Sequence, residues 1–160
     1  MPTFVQSSAR RRAGAMVAAL GLALSAMFAV SVTQAPAASA AVCGGSLINT
    51  KALRTDAGTV VGYLDVYYSG STGRNCAVTR HSGPSYGVSR NTWVAIVRCD
   101  QATAGNGCTY PESRWVRDED YYAYYAGPVS IAAAGYCIRV TGGLIWNGDP
   151  VVDSITGHCG

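Results

Sequence analysis

The sequence lacks the short motifs by which several classes of enzyme and metal site are identified. Its single G-x-S-x-G match, residues 83–87, lies in a turn rich in glycine and proline and not between a predicted strand and a predicted helix, where the nucleophile turn of many serine hydrolases occurs. It contains no C-x-x-C pair and no paired Cys/His spacing, and its two histidines, His81 and His158, are far apart in sequence. The missing Cys/His spacings argue against a zinc site, and the setting of the G-x-S-x-G match argues against a nucleophile activated by a neighbouring base.

The chain also lacks the patterns of a helical protein, since it has no heptad, no internal repeat and no long amphipathic segment. Beyond residue 40 it has a single lysine, Lys51, and few other helix-favouring residues. Glycine, tyrosine, threonine and valine are abundant in that part. This composition favours strands and turns.

Residues 1–40 have the three zones of an export signal. Residues 10–12 are all arginine, residues 13–30 form an uncharged apolar run, and residues 38–40 read Ala-Ser-Ala, a small-residue cleavage site. We therefore predict a signal peptide with cleavage after Ala40 and a secreted remainder. A membrane anchor is the alternative, because the run approaches the roughly 17–25 residues that span a bilayer. The arginines also permit twin-arginine export instead of the general secretory route.

The predicted mature part, residues 41–160, is electrically neutral. The whole chain has 12 Lys and Arg against 9 Asp and Glu, and the three arginines of the leader account for the excess. A neutral domain has no electrostatic footprint for nucleic acid or for an anionic membrane, so neither is predicted as a partner. The length suits one domain, in which roughly 60–70% of the unfolded surface is buried on folding.

Six cysteines, an even number, lie in the predicted mature part. An oxidising compartment lets thiols pair and stay paired, so we predict three disulfides. Cys99 ends an apolar strand and the turn Gly105-Asn106-Gly107 precedes Cys108, which favours a Cys99–Cys108 bridge. Six cysteines permit fifteen pairings, and spacing does not choose among the others. The remaining pairs that we predict are Cys43–Cys76 and Cys137–Cys159.

Several segments alternate in polarity or are rich in β-branched and aromatic residues, which is typical of strands. Residues 58–69 and 76–79 flank a polar turn and predict a β-hairpin, and residues 92–99 predict a central strand. Residues 100–113 form a predicted loop. Further strands are predicted over residues 114–117, 136–141 and 144–146, with Gly142-Gly143 as a turn, while 129–134 is either a strand or a helical turn. The predicted fold is all-β or mainly β, a small disulfide-bonded sandwich or barrel of short antiparallel strands.

Charged residues offer one candidate catalytic set. An extracellular ribonuclease combines a carboxylate base, an arginine for the phosphate and a histidine acid. Glu112 or Glu119 and Arg114 or Arg117 are candidates for the first two roles. Nothing in their spacing brings them together with a histidine, and charges beside strands usually face solvent.

The two histidines have simpler interpretations. His81 lies in a polar turn, where we expect it to be solvated. His158 precedes Cys159, and we expect it to pack or hydrogen-bond beside that disulfide. We therefore predict no catalytic, metal-binding or cofactor-binding residue, and no cofactor.

Aromatic residues provide a candidate ligand surface. Tyrosines are concentrated over residues 121–125, and tryptophans lie on either side in sequence. Aromatic faces stack on the apolar faces of sugar rings and carboxylates accept hydroxyl protons, so cell-wall glycan is the candidate ligand. The alternative is that these rings pack in the core or at its rim. The candidate ligand surface consists of Trp115, Tyr122, Tyr124 and Trp146.

Short motifs near the C-terminus occur in one order: YAGPV at residues 125–129, AGYCI at 134–138, Gly142-Gly143, and HCG at 158–160. Earlier pieces are Cys43-Gly44, the strand beginning at residue 58, and Asn75-Cys76. With these motifs, most of residues 43–160 resembles the spore-associated protein A family of filamentous spore-forming bacteria. The resemblance implies a small secreted protein found with spores or aerial growth, with no established enzymatic activity. The cysteines that it marks as shared are Cys43, Cys76, Cys137 and Cys159.

The leading hypothesis is therefore a secreted, non-catalytic structural protein, or one associated with the cell or spore surface. One alternative is a module that binds cell-wall carbohydrate. A second alternative is a secreted protease inhibitor that presents the loop at residues 100–113, stiffened by Cys99–Cys108.

Overall fold

The alternating and β-branched segments form strands in the part of the chain that the computed structural model describes, residues 42–100 and 107–159. The predicted signal peptide and most of the Gly105-Asn106-Gly107 turn lie outside these residues. In chain order the strands are β1 (Ser46–Arg54), β2 (Val60–Ser69), β3 (Arg74–His81), β4 (Arg90–Arg98), β5 (Val116–Tyr122), β6 (Tyr125–Ala132), β7 (Ile138–Trp146) and β8 (Asp149–Gly157).

The eight strands form two antiparallel sheets of four. The first sheet has the order β1-β2-β3-β6, and the second has the order β5-β4-β7-β8. The β2–β3 pair is the predicted hairpin, and β4 is a central strand as expected. The fold is therefore an all-β sandwich, which confirms the predicted fold class and selects the sandwich over the barrel.

The core lies between the sheets because alternate residues of each strand face inward. The larger buried cluster takes residues from both sheets, including Leu64 of β2, Ile96 of β4 and Val140 of β7. A smaller cluster is formed by Leu53, Val61, Leu144 and Val151, with Trp146 packed against it. Burial of each such aliphatic side chain stabilises the fold by about 1.5–3 kcal/mol. This packing leaves the other face of the second sheet turned outward.

The edge strands β1 and β8 are not predicted by the sequence pattern. Only Leu53 of β1 is fully buried, so most of that strand lacks the apolar alternation that indicates a half-buried strand. In β8, Pro150 follows Asp149, and proline within a strand is tolerated at a sheet edge. A salt bridge of 2.8 Å joins Lys51 of β1 to Asp153 of β8, across the side of the sandwich.

The predicted turn at Gly142-Gly143 is wrong, because both residues lie in the middle of β7. The continuous strand also replaces the two separate strands predicted over 136–141 and 144–146. A side chain at position 142 would collide with the Thr79 hydroxyl and come within 2.7 Å of Leu64 Cδ1, both in the first sheet. The glycine is therefore needed for the two sheets to approach closely.

Residues 129–134, for which the sequence permits either a strand or a helical turn, mostly belong to β6. The register of β6 with β3 shifts between Ala77 and Thr79, opposite the Gly127-Pro128 segment. Gly127 has a φ of 99°, and a Cβ there would lie 2.9 Å from the Ala77 carbonyl oxygen. Only glycine adopts this conformation readily, so the YAGPV motif serves the backbone path of the strand.

Three disulfides are present, and they join the predicted pairs. Cys43–Cys76 ties the segment before β1 to β3, and Cys137–Cys159 ties the start of β7 to the segment after β8. Cys99–Cys108 links the end of β4 to the segment that precedes β5. Such a set of bridges is consistent with an extracellular protein. Among the described residues, no helix has the length and hydrophobicity needed to cross a bilayer.

We predict that Gly142→Ala lowers the free energy of unfolding by about 1–3 kcal/mol, the usual cost of overpacking a core. The added methyl group would displace Thr79 or Leu64 and separate the sheets. Urea denaturation measures the change. Gly70→Ala is the control, because Gly70 is exposed and an added Cβ there would meet no other atom, so it should change stability by less than about 0.5 kcal/mol. Equal effects of the two substitutions would contradict the proposed close approach.

Candidate ligand-binding groove

The outer face of the second sheet is built by the register of three strands. Residues directly opposite each other on neighbouring strands share a face. Trp93 of β4 is paired with Glu119 of β5 and Gly143 of β7. One pair further along, Ala95 is matched with Arg117 and Thr141. This face therefore carries a tryptophan and two charged side chains next to residues that have a short side chain or none.

Trp93 lies across β7 because position 143 has no side chain. A Cβ at Gly143 would be 2.7 Å from Cζ2 of the Trp93 indole. The ring consequently rests on the backbone of the neighbouring strand and remains half-buried. It forms one aromatic surface of a groove on the outer face.

The opposite wall of the groove comes from residues 107–115, which include a short 3-10 turn at Glu112–Arg114. Cys99–Cys108 fixes the start of this segment to β4, with a Cα–Cα distance of 5.1 Å. The backbone N–H of Asp100 donates to the Thr109 carbonyl oxygen at 2.8 Å, and the Asp100 carboxylate pairs with Arg114. The described part of the predicted 100–113 loop is thus tethered to the sheet.

Two aromatic rings of this wall pack against each other. The ring centroids of Tyr110 and Trp115 are 5.1 Å apart, and their planes are inclined by 81°. Edge-to-face contacts of this kind favour one relative orientation of the rings. Both residues line the groove and both are half-buried.

The groove has a volume of about 550 Å³ and opens widely to solvent. Its lining combines three aromatic rings with charged and polar side chains. The aromatic members are Trp93, Tyr110 and Trp115, and the charged and polar members are Glu112, Arg117, Glu119, Arg139, Asn91 and Thr141. Flat apolar surfaces next to hydrogen-bonding groups of both kinds suit a polyhydroxylated ligand with ring faces.

Of the four residues predicted to form a ligand surface, the groove contains only Trp115. Tyr122 packs against the larger core cluster, and its hydroxyl donates to Asp118 at 2.8 Å. That hydrogen bond is the main reason why the pKa of Tyr122 lies above 10.0. Trp146 packs against the smaller cluster and has the Arg90 guanidinium over its ring. Tyr122 and Trp146 therefore pack at the rim of the core, which is the alternative prediction for these rings.

Tyr124 is 54% exposed and contacts Tyr86 edge-to-face, with the ring centroids 5.1 Å apart. These two rings are not part of the groove lining. Tyr121, which is 71% exposed, pairs with Asn91 on the groove side of β5. The structure therefore separates the aromatic cluster at residues 121–125 instead of bringing it to one surface.

Trp93, Tyr110 and Arg139 line the groove but are not among the residues predicted from the sequence. Trp93 belongs to a segment whose apolar composition predicts only a central strand, although alternation places it on the opposite face to Val94 and Ile96. Tyr110 lies in a segment without periodicity. The position of Arg139 beside the groove follows from the pairing of β7 with β4, which the predicted turn at Gly142-Gly143 conceals.

Among the charged candidates, Glu112, Glu119 and Arg117 do meet in the groove, but neither histidine lines it. His158 lies near β1, where its Nε2 is 3.1 Å from the side-chain nitrogen of Asn49. Within residues 42–100 and 107–159, no group of three or more His, Cys, Asp or Glu side chains is arranged to hold a metal ion.

The expectation that His81 is solvated is wrong: it is 3% exposed at the end of β3. Its Nδ1 is 2.9 Å from the Ser85 carbonyl oxygen, which only accepts, so Nδ1 carries a proton. Its Nε2 is 2.8 Å from the Thr92 hydroxyl, whose single proton is shared between Nε2 of the neutral ring and the Arg90 carbonyl oxygen at 2.9 Å. The turn at residues 82–85 folds over the ring, so a polar local sequence encloses a buried side chain.

Charges on the outer face of the first sheet are satisfied internally. The buried Asp65 carboxylate accepts from Thr50 at 2.6 Å and from Arg80 Nε at 2.5 Å. The Arg80 guanidinium also lies 4.2 Å from the centroid of the Tyr63 ring. The groove differs from this arrangement, because its charged side chains face open space.

Comparisons of this chain with protein-family models, with curated proteins and with solved structures find no match.

We predict that Cys99→Ala/Cys108→Ala loosens the groove wall while the sandwich persists. Loss of this short loop closure should cost about 2–3 kcal/mol of stability. Hydrogen exchange of the amides over residues 107–115 should become faster, and the amides of β4 and β7 should stay protected. Cys43→Ala/Cys76→Ala is the control, because it removes a bridge of the other sheet and should leave exchange over 107–115 unchanged. Unaltered exchange in the first variant would contradict the role of the bridge.

Burial of His81 also predicts a pH dependence of stability. Its pKa lies below 6.5, chiefly because burial disfavours the charged ring; the Ser85 carbonyl opposes this shift and Arg90 adds to it. Below about pH 6.5 the unfolded chain therefore binds a proton that the folded chain does not. The resulting contribution to stability is complete above that pH and decreases as the pH falls toward the folded pKa.

Urea unfolding at about pH 7.5 and about pH 5 measures this dependence, and His81→Gln should have the smaller decrease between the two. The readout is the change with pH and not the absolute stability, which the substitution itself alters. The same decrease in both proteins would show that His81 is not responsible.

Proposed function

We propose that this chain is an exported, non-catalytic protein of the cell or spore surface, which attaches there by binding glycan in the outer groove. The observation that carries this proposal is the meeting of Trp93, Tyr110 and Trp115 in one open groove with carboxylate, guanidinium and amide groups. Sugars have apolar ring faces and a rim of hydroxyls. The aromatic rings of the groove match the apolar ring faces, and its charged and amide groups match the hydroxyls.

The aromatic surfaces account for affinity. Large aromatic side chains contribute much contact area with few rotatable bonds, so little entropy is lost when a ligand stacks on them. Here the rings already have defined positions. The Trp93 ring lies against the β7 backbone at Gly143, and the Trp115 ring packs against Tyr110. A surface arranged before binding avoids part of the ordering cost of association.

The polar lining accounts for specificity. The Glu112 and Glu119 carboxylates accept protons from sugar hydroxyls, and the Asn91 amide can donate and accept. The amide of Asn91 lies 3.5 Å from Glu119 Oε1, so the two groups are adjacent. A groove that opens widely to solvent can accommodate a chain of sugars.

A non-catalytic role is supported by the setting of the two carboxylates. Glycoside hydrolysis needs one carboxylic acid kept protonated, usually by burial in an apolar site. Both Glu112 and Glu119 are exposed. The histidine that a ribonuclease would use is buried with Ser85 and Thr92 or placed beside Asn49.

Location outside the cell is supported by the predicted signal peptide and by the three disulfides. The resemblance of most of residues 43–160 to the spore-associated protein A family supports the finer proposal of a spore or wall location. On this proposal, the groove is the element that retains the exported protein at the surface.

We predict that Trp115→Ala weakens retention on the glycan by roughly tenfold or more, as expected for an aromatic residue central to an interface. Purified exported protein is incubated with insoluble peptidoglycan, chitin and glucan, and the free fraction is measured. In producing cells, the variant should move from wall and spore fractions to the medium.

Tyr124→Ala is the matched control, because Tyr124 is an exposed aromatic residue outside the groove and its loss should leave retention unchanged. Loss of retention in Tyr124→Ala with normal retention in Trp115→Ala would refute the groove. Absence of retention of the unaltered protein on every polymer would refute glycan binding, and release of sugars during incubation would refute the non-catalytic role.

A further inference from the structure

Two arginines of the groove differ from the other arginines of the described chain. Six of the eight described arginines have a partner. Hydrogen bonds to oxygen atoms are donated by Arg54, Arg74, Arg80 and Arg114. Arg98 lies over a tyrosine ring, and Arg90 lies over a tryptophan ring and donates to a carbonyl oxygen. Arg117 and Arg139 have no hydrogen bond, ion pair or ring contact with any residue that the structure describes. Both of them line the groove.

The register places these two side chains on the same face of the sheet, on the two strands that flank β4. Arg117 is opposite Ala95, and Arg139 is opposite Val97, the next outward-facing residue of β4. Thr141, which lies on the other side of Ala95, is also short. The two arginines therefore lie on either side of β4, and the residues between them at Ala95 and Thr141 have short side chains.

The chemistry of the guanidinium indicates the kind of group that Arg139 would bind. Arg139 is half-buried and forms no ion pair with the described residues. A planar carboxylate accepts two parallel hydrogen bonds from a guanidinium, which makes it a well-matched partner. Polymers of high negative charge are disfavoured, because the same groove carries the Glu112 and Glu119 carboxylates.

We propose that the groove binds a glycan in which a sugar unit carries a carboxylate, with that carboxylate held by Arg139 and Arg117. The inference rests on the proposed glycan-binding function and specifies its ligand class. The sugar ring stacks on Trp115, and neutral hydroxyls face the Glu119 end of the groove. An anionic polyol phosphate lacks the ring faces that three aromatic side chains would contact.

The test uses two oligosaccharides that differ only in charge: a neutral galacto-oligosaccharide that carries one galacturonate unit, and the same oligosaccharide with that carboxyl group reduced to an alcohol. Titration calorimetry at low salt gives the affinity for each. The unaltered protein should bind the acidic form at least tenfold more tightly. Arg139→Gln and Arg117→Gln should each remove most of that preference by weakening binding of the acidic form far more than binding of the neutral form, while Trp115→Ala should weaken both.

Arg54→Gln is the control, because Arg54 is an exposed arginine of β1 outside the groove lining, and it should keep the full preference. Urea unfolding checks that the Arg139 and Arg117 variants remain folded, as expected for side chains without partners. Equal binding of both oligosaccharides, weakened by Trp115→Ala, would overturn the carboxylate inference and leave glycan binding intact. Binding of neither would overturn both, and inhibition by inorganic phosphate but not by free galacturonate would assign the arginines to phosphate instead.

Discussion

Two adjacent glycines in β7 impose the constraint on which both the packing and the groove depend. Gly142 faces the interior, where the absence of a side chain lets Thr79 and Leu64 of the first sheet come close to β7. Gly143 faces outward, where the same absence lets the Trp93 indole lie on the strand. Because successive residues of a strand point to opposite faces, one dipeptide serves both surfaces.

The close approach at Gly142 has a cost that the rest of the core must offset. The Thr79 hydroxyl is fully buried and has no hydrogen-bond partner among the described residues. An unsatisfied buried hydroxyl costs about 1–3 kcal/mol. The larger core cluster contains several fully buried aliphatic residues, and their burial exceeds that cost.

The groove combines a rigid floor with a wall that has little secondary structure. The floor belongs to the central strands of a sheet and is fixed by ladder hydrogen bonds. The wall over residues 107–115 depends on Cys99–Cys108, on the pairing of Asp100 with Arg114, and on contact between two aromatic rings. Ligand surfaces commonly lie on such segments, since a fixed scaffold can position a loop of variable sequence.

The sequence allows prediction of the strands that have strong patterns, and of the disulfides, but only a small part of the site. β2 and β4 are predictable because alternation and β-branched residues are local signals. The edge strands β1 and β8 have weak alternation, and the Gly142-Gly143 pair resembles a turn unless the opposing sheet is known. The groove joins side chains from three paired strands and a loop, so its membership depends on register, which no local pattern of Trp93 or Arg139 reveals.

The position of Lys51 has a practical consequence. It is the chain's only lysine, and its ammonium group is paired with Asp153 along the side of the sandwich, away from the groove lining. Reagents that acylate primary amines therefore have one side-chain target in the folded domain. Coupling to a sensor chip or attachment of a fluorophore through that amine would leave the aromatic face accessible.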